Sequence, residues 1–158
     1  MQQFKDDYDR NQPLWRILPG FIAKHPVYER MGLKDLCDKL HGMYRQYDVA
    51  RLTTEMYLSD MVPAMRPADA WAKMAHRQIE RVPVDELEGR ITASLVTPYP
   101  PGIPLLIPGE RFNKTVVDYL KFVREFNKQL PGFETDVHGL VAEKINGETI
   151  YHIDCVKD

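Results

Sequence analysis

Hydrophobic residues in the first half of the chain recur at the spacing of amphipathic helices. After Leu33 they return at steps of three and four residues, which places them on one buried face of a helix. These positions are Leu36, Cys37, Leu40, Met43, Tyr44 and Tyr47. Asp48 is suited to cap the next helix, and further apolar positions carry that helix to Met61.

Prolines mark the boundaries of the other helices in this half. Pro13 suits a first helical turn, but Pro19-Gly20 interrupts the apolar spacing that follows it, which predicts a short or broken helix. Pro67 suits the first turn of a helix over Ala68 to Gln78. The side chains predicted to face inward on that helix are Trp71, Met74 and Ala75.

The second half combines one long helix with strands. The alternation of Val82 and Val84 predicts a strand, and Lys114 to Leu130 has a clear apolar side before Pro131-Gly132 ends it. That apolar side consists of Val116, Val117, Leu120, Val123 and Phe126.

The C-terminus has the pattern of a β-hairpin. Two β-prone runs, Asp136 to Lys144 and Glu148 to Val156, flank Ile145-Asn146-Gly147, and Asn-Gly favours a two-residue hairpin turn. We therefore predict an α+β fold with a helical N-terminal half, a small mixed β-sheet with packed helices, and a C-terminal hairpin. No repeat or long linker divides the chain, so we expect residues 1–158 to form one domain.

The stretch from Gly89 to Glu110 is unusual because five prolines and three glycines lie inside an apolar run. Proline is confined to the edges, ends and bulges of sheets, so the pattern predicts a strand over Ile91 to Val96, a rigid turn, and a strand over Ile103 to Ile107. Tyr99 is then held on a stiff loop, where its phenol is available to a ligand or a partner. The alternative is a structural turn whose tyrosine packs on its own domain.

Composition excludes several classes of protein. Lys plus Arg (21) nearly balances Asp plus Glu (23), so no basic excess favours a nucleic-acid partner. The sequence contains no membrane-spanning apolar run and no signal peptide, which predicts a cytoplasmic protein with no membrane partner. Cys37 and Cys155 lie far apart, and we expect reduced, buried thiols.

Candidate chemistry is sparse. Glu134, Asp136 and His138 would share one face of an extended segment, but a hydrogen-bonded loop is the more common role of such a cluster than a metal site. Glu110 either meets a cationic ligand or caps the helix that begins near Asn113. We find no phosphate-binding glycine loop and no nucleophile beside a base, so no residue of this chain is predicted to be catalytic.

Two motifs resemble one enzyme family. They are Thr97-Pro98-Tyr99-Pro100-Pro101-Gly102-Ile103-Pro104, continued by Pro108-Gly109-Glu110, and Pro131-Gly132-Phe133-Glu134-Thr135-Asp136-Val137-His138-Gly139. Both are similar to the C-terminal domain of the bacterial ornithine/lysine/arginine decarboxylases, enzymes of fold-type I that use pyridoxal phosphate. The second motif looks like the lysine branch. Glu80 to Glu88 extends the similarity.

The resemblance implies a larger enzyme. These decarboxylases bind the cofactor through a lysine that follows a histidine, and none of the five histidines here precedes a lysine. We therefore expect pyridoxal 5'-phosphate to be held by a catalytic domain of the same polypeptide that this chain lacks, and the isolated chain to be inactive. Family members associate as homo-oligomers and act on basic amino acids, with lysine favoured here over arginine and ornithine.

In the family, the corresponding domain borders the substrate entrance near the subunit interface. The resemblance therefore makes Tyr99, Thr97 and Glu110 the candidate entrance residues. A different hypothesis is a free-standing interaction or regulatory module that reuses this domain without catalysis. The sequence alone does not separate the two.

Overall fold

A computed structural model describes residues 2–157, which divide into two compact units. One unit combines residues 2–50 with Leu130–Phe133, and the other combines Arg51–Gln129 with residues 134–157. The expectation of one domain across residues 1–158 stays a prediction.

The first unit is helical. Its elements are α1 (Gln2–Asp9), α2 (Leu14–Ile17), α3 (Pro19–Lys24), a 3₁₀ turn (Pro26–Tyr28) and α4 (Leu33–Gln46), and α5 (Val49–Leu58) begins at its end. The predicted break at Pro19-Gly20 is confirmed, since α2 ends at Ile17 and α3 starts at Pro19. The helix predicted after Leu33 is confirmed as α4, and α5 follows Asp48 but ends three residues before the predicted limit at Met61.

An aromatic cluster organises the core of this unit. Tyr28 is fully buried, stacks on Phe21 and meets the edge of Phe133, while its hydroxyl donates a hydrogen bond to the carbonyl of Pro131 at 3.0 Å. Leu14 is fully buried in the same unit. The Pro131-to-Phe133 turn is thus held by ring packing and by a buried phenol whose hydrogen bond is satisfied.

The second unit holds every strand of the described chain. Its elements are β1 (Val62–Pro63), α6 (Pro67–Ala75), β2 (Ile79–Pro83), a 3₁₀ turn (Val84–Glu86), β3 (Thr97–Tyr99), β4 (Glu110–Arg111), α7 (Lys114–Gln129), β5 (Asp136–His138), β6 (Val141–Ile145) and β7 (Glu148–Val156). The α+β class is confirmed. The expected mixed sheet is wrong in detail, because the described strands form three small antiparallel sheets ordered β1-β4, β2-β7-β6 and β3-β5.

Helix α7 supplies much of the core of this unit. Its predicted apolar side is confirmed as buried, and Tyr119 and Phe122 are buried as well. The helix begins after Asn113, whose side-chain oxygen accepts the N–H of Val116 at 2.9 Å. Asn113 therefore supplies the cap, leaving Glu110 for another role.

The predicted C-terminal hairpin is confirmed. Ile145 pairs with Glu148 across a turn in which Asn146 (φ 53°) and Gly147 (φ 86°) are both left-handed, as a type I′ turn requires. The first predicted strand, Asp136 to Lys144, is divided in two. Its beginning, β5, pairs with β3, and only β6 belongs to the hairpin.

Both strands predicted around the proline loop are wrong. Ile91, Thr92 and Val96 make only isolated bridges. The Thr92 hydroxyl donates to the Ser94 carbonyl and accepts the Ser94 N–H, so the backbone of Ser94 bonds a side chain and not a neighbouring strand. In Ile103 to Ile107 only Leu106 forms a bridge, since flanking prolines remove N–H donors. The observed strand lies over Thr97–Tyr99, where a two-stranded sheet accommodates Pro98 at its edge.

The inward face predicted for α6 is also wrong in two of three residues. Trp71 and Ala75 are exposed, whereas Ala70 is fully buried and Met74 packs beside it. Ala70 sits against Ala93 and Val156, so the helix approaches too closely for an indole at that face.

Cysteine placement matches the prediction in part. Both thiols are free, Cys155 being buried in β7 and Cys37 half-buried in α4. Burial raises the pKa of the Cys37 thiol, which keeps that group protonated near neutral pH.

Among residues 2–157, no helix is long and apolar enough to cross a membrane.

Candidate functional site

The proline loop is folded tightly beneath Tyr99. The N–H of Gly102 donates to the carbonyl of Pro98 at 2.8 Å, closing the loop directly after β3. A Cβ added at Gly102 would lie 3.2 Å from the tyrosine ring, so the glycine leaves room for the ring to rest on the loop. The Tyr99–Pro100 and Pro100–Pro101 peptide bonds are cis. Tyr99 is 51% exposed, which leaves its phenol accessible.

Thr97 has the opposite environment. It is only 2% exposed, on the strand pair that joins it to His138, and its hydroxyl oxygen is buried without a hydrogen-bond partner among the described residues. The two ends of β3 therefore differ, with Thr97 packed inside and Tyr99 at the surface.

Glu110 closes a turn of its own. Its carboxylate oxygen Oε2 accepts the N–H of Ile107 at 2.8 Å, and its backbone N–H donates to the Ile107 carbonyl at 3.1 Å. The residue is half-buried. No strand pairing or hydrogen bond within residues 2–157 joins it to Tyr99, although the Val96–Leu106 bridge ties the two arms of the segment together.

Several apolar side chains in this segment and in the neighbouring stretch from Leu58 to Val62 are exposed. We call Leu58, Val62, Ile103 and Ile107 the apolar patch, since all four are exposed. Tyr57 connects two of its parts, because its hydroxyl donates to the Ile103 carbonyl at 3.4 Å, and burial raises the pKa of that phenol. Large exposed apolar side chains mark an interaction site when they form a continuous surface.

The acidic cluster after the long helix lies partly on strand β5. Asp136 and His138 flank the buried Val137 and both are exposed, which confirms the alternation predicted for an extended segment. The described part of the chain contains no group of three or more His, Cys, Asp or Glu side chains placed to hold a metal ion.

A groove of about 730 Å³ lies between the polar side of α7 and the C-terminal hairpin, a feature that sequence reasoning missed. Arg124 donates to Asp85 at 2.6 Å and to Glu125 at 3.2 Å, and Lys121 lies 3.7 Å from Asp85. The hydrogen bond from Arg124 holds the pKa of the Asp85 carboxyl below its usual range, and the same bond raises the pKa of Arg124. The only sequence signal was an acidic turn followed by a helix with cations on one side.

Comparison with known proteins agrees on one family. Residues 50–157 match the family described as Orn/Lys/Arg decarboxylase, C-terminal domain. The chain is 42% identical to lysine decarboxylase LdcA of Pseudomonas aeruginosa, over 99% of this chain and 21% of the relative. It is 36% identical to the biodegradative arginine decarboxylase of Escherichia coli, over 98% of this chain and 20% of that protein.

A solved structure extends this likeness to three dimensions. The structure of lysine decarboxylase A from Pseudomonas aeruginosa superimposes with a TM-score of 0.90 at 42% identity, covering 99% of this chain and 21% of the solved chain. The chain thus spans about a fifth of the length of the relatives that it matches. With the match over residues 50–157, this shows that the chain belongs to the family of ornithine/lysine/arginine decarboxylase C-terminal domains.

Proposed function

We propose that this chain is the C-terminal part of a larger decarboxylase of basic amino acids that uses pyridoxal phosphate, and that it shapes the substrate entrance and the subunit interface. The observation that carries the proposal is the 42% identity to a lysine decarboxylase across 99% of the chain. That relative also makes lysine the favoured substrate, ahead of arginine and ornithine.

The residues described here do not fit the cofactor. A pyridoxal phosphate site needs an enclosed lysine beside a phosphate cradle, whereas Lys128, the one lysine of the groove, is exposed at its surface, and Asp85 is engaged by Arg124. We therefore assign the cofactor to the polypeptide outside this chain. The part left to this chain is to border the path of the substrate.

Three side chains serve that role in different ways. Tyr99 presents its phenol on a closed loop that loses little entropy when a ligand orders it further. Glu110 offers a half-buried carboxylate, which attracts a cationic side chain more strongly than a fully hydrated one does. Thr97 is too deeply buried to touch a substrate, so we assign it a positioning role on the strand that carries Tyr99.

The substrate is tested with the full-length protein, assayed for CO₂ release from lysine, arginine and ornithine. We expect kcat/KM to be highest for lysine, by about tenfold or more. A preference for arginine or ornithine would overturn the assignment of lysine while leaving the family role in place.

The entrance role is tested by Tyr99→Phe in the same enzyme. Losing the hydroxyl should raise KM or lower kcat by about tenfold, the size of one hydrogen bond to a charged group. Tyr44→Phe is the matched control, because Tyr44 is similarly exposed and lies on α4. Equal kinetics for both variants would remove Tyr99 from the entrance.

The mass of the native polypeptide tests the central claim. A species several times heavier than 18.4 kDa, detected in the source cell through the C-terminal end, is expected for a complete enzyme. A species at 18.4 kDa would instead favour the free-standing interaction module.

A further inference from the structure

Half of strand β7 has a neighbour on one side only. Residues Glu148 to His152 pair with β6, and residues His152 to Val156 pair with β2. Because β2 ends at Pro83, opposite His152, no strand of the described chain lies beside the first four residues of β7 on the β2 side.

The strand register shows which backbone groups point to that open side. The N–H of Lys157 donates to the carbonyl of Gln78, the residue before β2, so it points toward β2. The carbonyl of Asp154 accepts the N–H of Ala93 and points away from β2. Backbone groups alternate in direction along a strand, so odd-numbered residues face β2 and its missing continuation. The N–H and C=O groups of Thr149 and Tyr151 therefore face the open side, where no described residue bonds them.

These groups open into the groove described above. Its walls are the open β7 edge, from Gly147 to Tyr151, and the polar side of α7, with Pro83–Asp85 at one end. Four strand residues extend about 13 Å. The volume of about 730 Å³ accommodates an extended peptide of about that length.

We propose that this groove binds an extended segment of a separate protein, which adds to β7 as a strand in the place where β2 ends. Two N–H donors and two carbonyl acceptors, spaced along one strand, match a polypeptide backbone. The α7 wall then covers the other side of the added strand. Because α7 stands opposite the open edge, the groove admits one chain but not the edge of a whole sheet.

The chemistry of the walls favours a separate, exchangeable partner. Permanent interfaces are depleted of charged residues at their centre, whereas five of the twelve residues that line this groove are charged. Two of these, Lys128 and Glu148, form no ion pair with another described residue. An acidic side chain opposite Lys128 and a basic one opposite Glu148 would complement them. The apolar patch elsewhere in this unit has the composition expected for contact with the enzyme's own polypeptide.

The first measurement is amide hydrogen exchange in the full-length enzyme without a partner. We expect the amides of Thr149 and Tyr151 to exchange about a hundredfold faster than that of Ile150, which pairs with β6. Protection of Thr149 and Tyr151 in the purified enzyme would show that its own polypeptide or a second copy already covers the edge, and would overturn the proposal.

The second measurement selects ligands from a random decapeptide library displayed on phage, with the full-length enzyme as target. Selected peptides should protect the Thr149 and Tyr151 amides and carry both an acidic and a basic residue. Absence of binders, or binders that protect another surface, would overturn the proposal.

A matched pair of variants identifies the backbone contact. Thr149→Pro removes an N–H that faces the groove without removing a bond to β6, and should weaken peptide binding about tenfold or more. Thr149→Val keeps that N–H and should bind normally. Equal binding by both variants would contradict the added strand. If Thr149→Pro disturbs the hairpin, seen as lost protection at His152, which pairs with β6, the amide protection in the wild type still decides. Decarboxylase activity should be unchanged in both variants, so failure here is distinct from failure of the proposed function.

Discussion

The start of α4 shows how a single distant side chain completes a helix. Gly32 stands at the N-cap position and has no side chain, so the oxygen Oδ1 of Asn11 accepts the N–H groups of Lys34 at 3.0 Å and Asp35 at 3.3 Å. The Asp35 carboxylate accepts the N–H of Gly32 at 2.9 Å, which holds the pKa of that carboxyl below its usual range. A Cβ at Gly32 would collide with the Asn11 side chain, so glycine is required for this close approach.

Removing this cap has a measurable cost. Asn11→Ala should lower the free energy of unfolding by about 1 kcal/mol, the usual value of a helix N-cap. That corresponds to a urea midpoint lower by about 0.5 M. Gln12→Ala is the control, because the Gln12 backbone carbonyl, not its side chain, bonds Leu33. An unchanged midpoint for Asn11→Ala would contradict a capping role.

For single residues, the sequence predicted features that depend on neighbouring residues along the chain. It missed contacts between residues that only the fold brings together. Tyr99 lies at the surface, at the end of β3 where the proline-rich turn begins. The cap from Asn11 joins residues more than twenty positions apart, so no local pattern showed it. Thr97 was grouped with Tyr99 as an entrance residue because a motif does not record which side chains are buried.

Among the elements, long helices with a full apolar face were predicted best. Helices α4 and α7 offer several turns of periodic residues, and the whole predicted face of α7 is buried. The face predicted for α4 is only partly right, because Leu36 and Met43 are buried whereas Tyr44 is exposed. The segments around Ile91 and Ile103 have the composition of strands, but each exchanges backbone partners every few residues. The apolar composition of these segments predicts that they are buried. Whether a buried extended segment is a strand depends on its pairing with distant residues, which composition does not show.

An ion pair joins the 3₁₀ turn at Val84–Glu86 to α7, and its contribution should depend on pH. Arg124 holds the pKa of the Asp85 carboxyl below 3.8, so the stabilisation is complete above that value and is lost as the pH falls through the lower pKa of the folded state. Asp85→Asn should lower the free energy of unfolding at neutral pH by about 0.5 kcal/mol, since the pair is partly exposed. The variant should also lose part of the pH dependence below pH 4, measured by urea unfolding.

The control for that experiment is Glu86→Gln in the same turn. Glu86 is exposed and makes no ion pair with another residue of the described chain. We expect this variant to retain the acid dependence of the wild type. An identical pH profile for Asp85→Asn and the wild type would show that the Asp85–Arg124 pair contributes nothing to stability.

At the scale of the whole molecule, the informative surface is the exposed apolar patch. The relatives are about five times longer than this chain, and the apolar patch lies beside the motif that identified the family. Surface loops often carry function, and exposed apolar side chains are typical of surfaces that contact other polypeptides. The patch therefore supports the proposed contact with the rest of the enzyme.

A matched pair of isoleucines tests that contact. Ile103 in the patch is 55% exposed and Ile145 at the hairpin turn is 46% exposed, so replacing each by Glu has a similar effect on the isolated surface. In the full-length enzyme, burial of Ile103 would add about 1.5 to 3 kcal/mol of apolar stabilisation, which a carboxylate abolishes. We expect Ile103→Glu to lower the melting temperature by several degrees or to dissociate the oligomer in sedimentation, and Ile145→Glu to do neither. If the two variants behave alike, the patch is solvent-exposed in the complete enzyme, and the interface must lie on another face of this chain.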